Sequence, residues 1–289
     1  MVELKDLDTT QKGRKPDWCP GCGNFGILTA LKQAVSELGL DPAKTVLVSG
    51  IGCGPKMPLW IDTSGFQSIH GRALPVAEGI KMANHNLDVF ATSGDGDGYG
   101  IGACHFVHAM RRNFDMTYIV HNNQIYGLTK GQASPTSDQG SKSKSTPFGV
   151  IEVPFRPLSL AIVSGATFVA RGFAGDLPHL KWLIMEAHKH RGFALIDVLQ
   201  PCVTFNKINT YQWFQQRVYK LQDEDGYDSS NKMMALERAD QWNGKIPIGV
   251  YYQENRELYT DKLPEIKDAP LCEQSIDNVD IEKLFETYS

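Results

Sequence analysis

The residues of this chain best equipped for chemistry are its cysteines. Six occur among 289 residues, and in a chain of this size they are better read as metal ligands, catalytic thiols or core fillers than as a disulfide framework. Trp18-Cys19-Pro20-Gly21-Cys22-Gly23 is a C-x-x-C turn leading into a helix. Two thiolates so spaced can share one metal centre, and the glycines permit tight turns that aim backbone N–H groups at sulfur. Cys53 stands alone in Ile51-Gly52-Cys53-Gly54-Pro55, and Cys202 alone in Gln200-Pro201-Cys202. A structural zinc site usually takes two C-x-x-C knuckles. One knuckle plus two solitary cysteines suits an iron–sulfur cluster better, with zinc as the open alternative. A dithiol redox pair at Cys19 and Cys22 is a third reading, weakened because no thioredoxin-like strand precedes it. Cys104, in a Gly/Ala/His helix, reads as a small core residue, and Cys272 as incidental.

The second constellation is Ser93-Gly94-Asp95-Gly96-Asp97-Gly98, between a strand and a helix. Glycines let the backbone approach a phosphate, and a helix N-terminus offers oriented N–H groups to an anion. Asp95 would supply a hard oxygen to Mg²⁺, which bridges two phosphates. Alone such a loop is weak evidence, since many are ordinary turns. After the next strand comes His121-Asn122-Asn123-Gln124-Ile125-Tyr126-Gly127. G-D-G followed at this distance by Asn-Asn resembles the signature of thiamine-diphosphate enzymes. That resemblance implies Asp95, the Asn123 side chain and the Ile125 carbonyl as magnesium ligands, with Asn122 as the competitor for Asn123.

These residues must be carried by strands and helices. Thr45–Ser49, Asp88–Ser93, Met116–His121, Ala166–Ala170 and Phe193–Leu199 are apolar, β-branched runs that read as buried parallel strands. Phe25–Leu38, ending at Gly39, and Leu177–Arg191, after Asp176 as N-cap, read as helices, as do His70–His85 and Gly100–Arg112. The alternation predicts an α/β fold, a doubly wound, mostly parallel sheet with helices on both faces. Cys53, Asp95, Asn122, Asn123 and Cys202 then each fall just past the carboxyl end of a strand, the edge where such sheets bind ligands. Residues 1–204 are expected to form the cofactor-binding domain. The polar stretch 205–289, with one strand-like run at Ile246–Tyr252, is expected to be an extension packing on that domain or on a partner.

Composition sets limits. Apolar residues make up 42 %, the formal net charge is −4 and the pI is near 6.1, so a nucleic-acid surface is not expected, and apolar runs broken by Gly, Ser or charge within about ten residues leave no expected membrane span. The first residues lack the apolar stretch of a secretory leader, which points to the cytoplasm.

Taken together, WCPGCGNFG, SGIGCG, HGRA, GDGD, NNQIYGLTKGQASPTS and ALIDVLQPC closely resemble the β subunit of two-subunit 2-oxoacid:ferredoxin oxidoreductases, in order over residues 17–207. The family often carries Asp where this chain has Asn122. The resemblance implies a [4Fe–4S] cluster on Cys19, Cys22, Cys53 and Cys202, and cofactor contacts from Ile51, Gly52, Cys53, Gly54, His70, Gly96, Asp97, Gly127 and Leu128. It implies oxidative decarboxylation of a 2-oxoacid with coenzyme A to acyl-CoA and CO₂, or the reverse, with electrons passing to ferredoxin. An α subunit would complete the site in a heterotetramer, and this chain alone should not turn over. His70 is the best polar active-site candidate, against the ordinary fate of a lone histidine as a structural residue. Lys56 and Lys130 lie on rim loops. Surface solvation is the usual fate of lysine, but a cation there could pair with a second substrate carboxylate and so favour 2-oxoglutarate over pyruvate. The basic run Lys12-Gly13-Arg14-Lys15 could steer an acidic ferredoxin. The alternatives are a pyruvate or broad-specificity enzyme, a non-redox thiamine enzyme with zinc, and a zinc-stabilised scaffold.

Overall fold

The computed structural model describes residues 2–242, 244–277 and 279–288. Its strands are β1 (Thr45–Ser49), β2 (Ser64–Gln67), β3 (Asp88–Gly94), β4 (Met116–Asn122), β5 (Ile125–Tyr126), β6 (Gln132–Ala133), β7 (Phe168–Phe173), β8 (Phe193–Leu199), β9 (Val218–Lys220) and β10 (Ile246–Gln253). The helices are α1 (Asn24–Leu38), α2 (Ala73–Ala83), α3 (Ala103–Arg112), α4 (Pro157–Val163), α5 (Leu177–Lys189), α6 (Tyr211–Gln215), α7 (Lys232–Ala239) and α8 (Ile281–Glu286). Eight strands form one sheet in the order β2-β1-β3-β4-β8-β7-β10-β9, and β5 and β6 make a separate hairpin. Only the β10–β7 pairing in the large sheet is antiparallel. The expected mostly parallel sheet with helices on both faces is therefore the observed fold.

Side-chain alternation explains why the central strands are apolar throughout. Val46, Val48, Val89, Ala91, Tyr118 and Val120 pack under α2, α3, α4 and α7. Their neighbours Leu47, Phe90 and Ile119 pack under α1 and α5 on the other face. Helix ends follow local chemistry: α1 stops at Gly39, which adopts φ 69°, and the Asp176 side chain caps α5 by accepting from the His179 N–H.

Two expectations need correction. The strand placed at Ala166–Ala170 starts later, at Phe168, because Gly165 (φ 89°) still belongs to the preceding turn. Cys104 is exposed rather than part of the core. On α3 it lies two positions before Phe106, which faces inward with Ala109 and Met110, so it falls on the far side of the helix. Residues past 204 pack on the domain: β9 and β10 extend the sheet, and Ala235 and Ala239 of α7 share a core with β3 and β4. Strand β2 escaped notice because all four of its residues are exposed at an edge, which leaves no hydrophobic period to read.

What matters for function is the carboxyl edge. Ser49 pairs with Thr92, Gly94 with His121, and Asn122 with Leu199. The loops that follow β1, β3, β4 and β8 consequently leave the sheet side by side, bringing Cys53, Asp95, Asn123 and Cys202 to one rim.

Candidate active site

Two cavities open on this rim and share a wall. The larger, about 510 Å³, is lined by Ile51–Gly54, His70, Gly94–Asp97, Asn123 and Ile125–Thr129, among others. The smaller, about 240 Å³, is lined by Cys19, Cys22, Cys53 and Cys202, with Asp17, Asn24, Lys56 and Lys130. Cys53, Asn123, Gly127 and Leu128 belong to both.

In the larger cavity Asp95 is almost fully buried at the end of β3. Its Oδ2 accepts from Ser134 Oγ at 2.5 Å and Thr136 Oγ1 at 2.7 Å. Burial nevertheless pushes the carboxyl up to about 6 from an ordinary 3.8, with those hydroxyls pulling the other way. Asn123 is held by donating to Gln200 Oε1 (2.9 Å) and accepting from the Ile125 N–H (3.1 Å), a tight turn that keeps its side chain beside the Ile125 peptide. Asn122 points the other way: its Nδ2 donates to Asp197 Oδ1 (3.0 Å), its Oδ1 accepts from Thr136 (2.9 Å), and it does not line the larger cavity. Asp197 is itself buried, accepting from Tyr99 Oη (3.0 Å) and Arg171 Nε (3.2 Å). A continuous polar relay thus runs from Arg171 through Asp197, Asn122 and Thr136 to Asp95.

Asp97 organises the opposite wall. Its Oδ1 accepts from the Gly71 N–H (2.6 Å) and the Ile51 N–H (3.2 Å), and His70 Nδ1 lies 2.8 Å away without hydrogen-bond alignment. The carboxylate therefore ties the Ile51–Gly54 loop to the His70 turn. The glycines are required by close approach: a Cβ on Gly96 would enter the Tyr126 ring, and one on Gly50 would strike Asp97. The chain widens into a single i→i+5 turn here, the Gly102 N–H reaching the Asp97 carbonyl at 3.0 Å, a distortion often found at functional sites. A buried carboxylate, an oriented amide, an adjacent carbonyl and glycine-only backbone fit a divalent cation carrying a diphosphate.

In the smaller cavity the four thiols surround a space. No three His, Cys, Asp or Glu side chains among the described residues converge to hold a single metal ion. Burial, reinforced by the neighbouring Cys202, Cys53 and Cys19, pushes the Cys22 thiol up to about 11, with the Asn24 backbone N–H opposing. Cys53 is raised chiefly by burial, while Lys56 favours its thiolate. A cationic centre between them would let these two thiols ionise. Four thiols lining one cavity fit the ligand chemistry of a polynuclear iron–sulfur centre. Trp18 Nε1 donates to the Cys53 carbonyl (2.7 Å), and Gln200 Nε2 to Cys22 Sγ (3.5 Å). A Cβ on Gly127 would lie 3.5 Å from Cys53 Sγ and 4.0 Å from Cys202 Sγ, so the wall between the cavities is one backbone thick.

Lys56 and Lys130 line the cysteine cavity and not the larger one, and Lys56 Nζ is 2.8 Å from Asp17 Oδ2. Cys272 is exposed, far in sequence from the other thiols. Ser134, Thr136, Asn24 and Gln200 were not singled out from sequence. They sit within or beside the motif stretches, but only the fold shows that their polar atoms turn toward Asp95 and the thiols.

The thiamine pyrophosphate enzyme C-terminal TPP binding domain family matches residues 50–198, and the family formed by the C-terminal part of the pyruvate ferredoxin oxidoreductase β chain matches residues 202–268. The 2-oxoacid:ferredoxin oxidoreductase subunit β of Saccharolobus solfataricus is 51 % identical over 88 % of both chains. The chain belongs to the 2-oxoacid:ferredoxin oxidoreductase β subunits. The 2-oxoglutarate oxidoreductase subunit KorB of Mycobacterium tuberculosis is 46 % identical over 70 % of this chain and 53 % of its own. The 2-oxoglutarate:ferredoxin oxidoreductase of Magnetococcus marinus, solved with 2-oxoglutarate, coenzyme A and succinyl-CoA, superposes with a TM-score of 0.90 at 37 % identity, covering 100 % of this chain and 96 % of that one. As a β subunit of this family the protein is an oxidoreductase component that works with an α subunit and carries the thiamine-diphosphate-binding fold. None of its described helices is long and apolar enough to cross a membrane.

Proposed function

We propose that this β subunit holds thiamine diphosphate through Mg²⁺ on Asp95, Asn123 and the Ile125 carbonyl, and a [4Fe–4S] cluster on Cys19, Cys22, Cys53 and Cys202. The assembled, cytoplasmic α₂β₂ enzyme would convert 2-oxoglutarate and coenzyme A to an acyl-CoA and CO₂, with electrons passing to ferredoxin. The observation that carries the reading is the shared wall. Cys53, Asn123, Gly127 and Leu128 each touch both cavities, so a bound thiamine, which supplies the electron sink for decarboxylation, would adjoin the electron acceptor.

The residues of this chain then have distinct tasks. Asp95 and Asn123 fix the cation, and Ser134 and Thr136 hold Asp95 against its own desolvation. Gly96 and Gly127 admit the diphosphate closely, with Ile51, Gly52, Gly54 and Leu128 closing around it. Asp97 aligns His70 and the Ile51 loop, and His70 contacts the diphosphate or the substrate carboxylate. Lys56 belongs to the cluster, where its charge eases thiolate formation at Cys53. The preference for 2-oxoglutarate is supported by the KorB relatives and the Magnetococcus enzyme. A broad 2-oxoacid specificity is favoured by the name of the 51 % identical relative.

The test is the anaerobically purified enzyme with its α subunit. Iron and acid-labile sulfide, a reducible paramagnetic signal and bound thiamine diphosphate are expected, together with coenzyme A-dependent ferredoxin reduction that is faster with 2-oxoglutarate than with pyruvate. Zinc in place of iron would overturn the redox reading. Equal kcat/KM for both acids would establish broad specificity.

A further inference from the structure

Asn24, the first residue of α1, is fully buried yet lines the cysteine cavity. Its Oδ1 lies 2.8 Å from Nδ1 of His121, which is also fully buried and lines neither cavity. Its Nδ2 is buried with no hydrogen-bond partner. A buried amide donor without a partner carries a large desolvation cost, so it marks a place where an acceptor belongs. Because Oδ1 is taken up by a residue behind the cavity wall, Nδ2 is the end left on the cavity side.

His121 cannot drift from this arrangement. It sits on β4, and a Cβ on Gly54 would meet its ring at 2.5 Å, so the loop carrying Cys53 packs directly on it. His121 Nε2 is buried without a hydrogen-bond partner, so the ring proton is paired only on Nδ1, where Asn24 Oδ1 accepts it. The imidazole therefore fixes which way the amide faces, the orienting role that outer-shell partners play around metal centres.

We propose that Asn24 donates an N–H hydrogen bond from Nδ2 to a sulfur of the cluster and raises its reduction potential, with His121 as the positioning residue that aims it. The proposal rests on the cluster reading above. Reduction adds an electron whose charge spreads onto the sulfurs, and a donor pointing at them stabilises the reduced form more than the oxidised one.

The experiment is a redox titration of the assembled enzyme, followed by electron paramagnetic resonance, on wild type, Asn24→Leu, His121→Leu, His121→Asn and the Asn24→Leu/His121→Leu double variant. Asn24→Leu is expected to lower the reduced-to-oxidised ratio at a given potential about tenfold, which for one electron is a shift of ~59 mV to more negative values. His121→Leu should shift it the same way, should add little in the double variant, and should be largely rescued by His121→Asn, whose amide can donate from near the Nδ1 position. A second measurement uses wild-type enzyme, with asparagine labelled by ¹⁵N only at the side-chain amide. The reduced cluster should show a ¹⁵N coupling that disappears in Asn24→Leu. An unchanged potential in an iron-replete Asn24→Leu enzyme overturns the proposal, as does the absence of ¹⁵N coupling in wild type. If the four cysteines hold no iron at all, the underlying cluster reading fails as well, and iron analysis distinguishes the two failures.

Discussion

Replacing Asp95 by asparagine is expected to stabilise the metal-free protein while abolishing its Mg²⁺-dependent binding of thiamine diphosphate. Burial lifts this carboxyl from 3.8 to about 6, although the Ser134 and Thr136 hydroxyls favour its charged form. At a pH of about 7.5 the group is ionised in both folded and unfolded chains, so the folded state bears the whole difference, about 3 kcal/mol. Asparagine has nearly the same shape, has no charge to desolvate, and can still accept from both hydroxyls. The variant should recover up to that amount, a rise of several degrees at about 2–4 °C per kcal/mol. The sign with pH follows from the folded value lying above the unfolded one. Between about pH 6 and pH 4 the folded wild type takes up a proton that the unfolded chain does not, so its stability climbs as pH falls. The advantage of Asp95→Asn should therefore shrink by about half at pH ~5. The assay is thermal unfolding of chelated protein at both pH values, repeated with Mg²⁺ and thiamine diphosphate. The additions should raise wild type and leave the variant unmoved, a trade of stability for function. A variant less stable than wild type by more than about 1 kcal/mol at both pH values would refute the reasoning and make Asp95 a structural anchor.

Serine at position 19, 22, 53 or 202 should cost the protein its iron and its ferredoxin reduction, whereas Cys104→Ala and Cys272→Ala should keep both; iron analysis that finds full occupancy in any of the first four removes that residue from the ligand set. Asn123→Ala should weaken cofactor binding severely. Asn122→Ala should spare it and instead lower stability by about 1–3 kcal/mol, because Asp197 and Thr136 each lose a buried partner. Calorimetric titration and denaturant melts of the two variants, if they gave the reverse pattern, would move the metal loop by one residue. Lys56→Met should change kcat/KM for 2-oxoglutarate and pyruvate by the same factor, since Lys56 faces the thiols; a loss confined to 2-oxoglutarate would return it to the substrate pocket.

Much of this was legible in the chain itself. Thr45–Ser49 and Phe193–Leu199 are strands with the bounds their residues suggested, because a strand buried on both faces leaves an unbroken apolar run. The C-x-x-C turn, the G-D-G-D loop and the Asn-Asn pair could be read because each packs its chemistry into a few adjacent residues. So could their meeting place, since parallel strands bring their carboxyl ends to one edge whatever the intervening length.

Other features are not local and left no such trace. Choosing Asn123 over Asn122 by geometry required knowing which face of the strand end each side chain takes, and hence that Asp197 and Arg171 wait on the inner side. Thr136 reaches Asp95 only because the segment after the β5–β6 hairpin returns to the carboxyl ends of β3 and β4. The fold alone puts Asp17 beside Lys56, and Cys104 looked internal until the phase of α3 turned it outward. Strand β10 joins the sheet between β7 and the edge strand β9 through long-range pairing, and its strand-like run does not by itself reveal those partners. The sequence alone determined which chemistry-bearing groups exist and which strand ends carry them. The tertiary structure decided which of those groups face the cavities and which face each other, because burial and hydrogen-bond geometry are properties of packed neighbours rather than of adjacent residues.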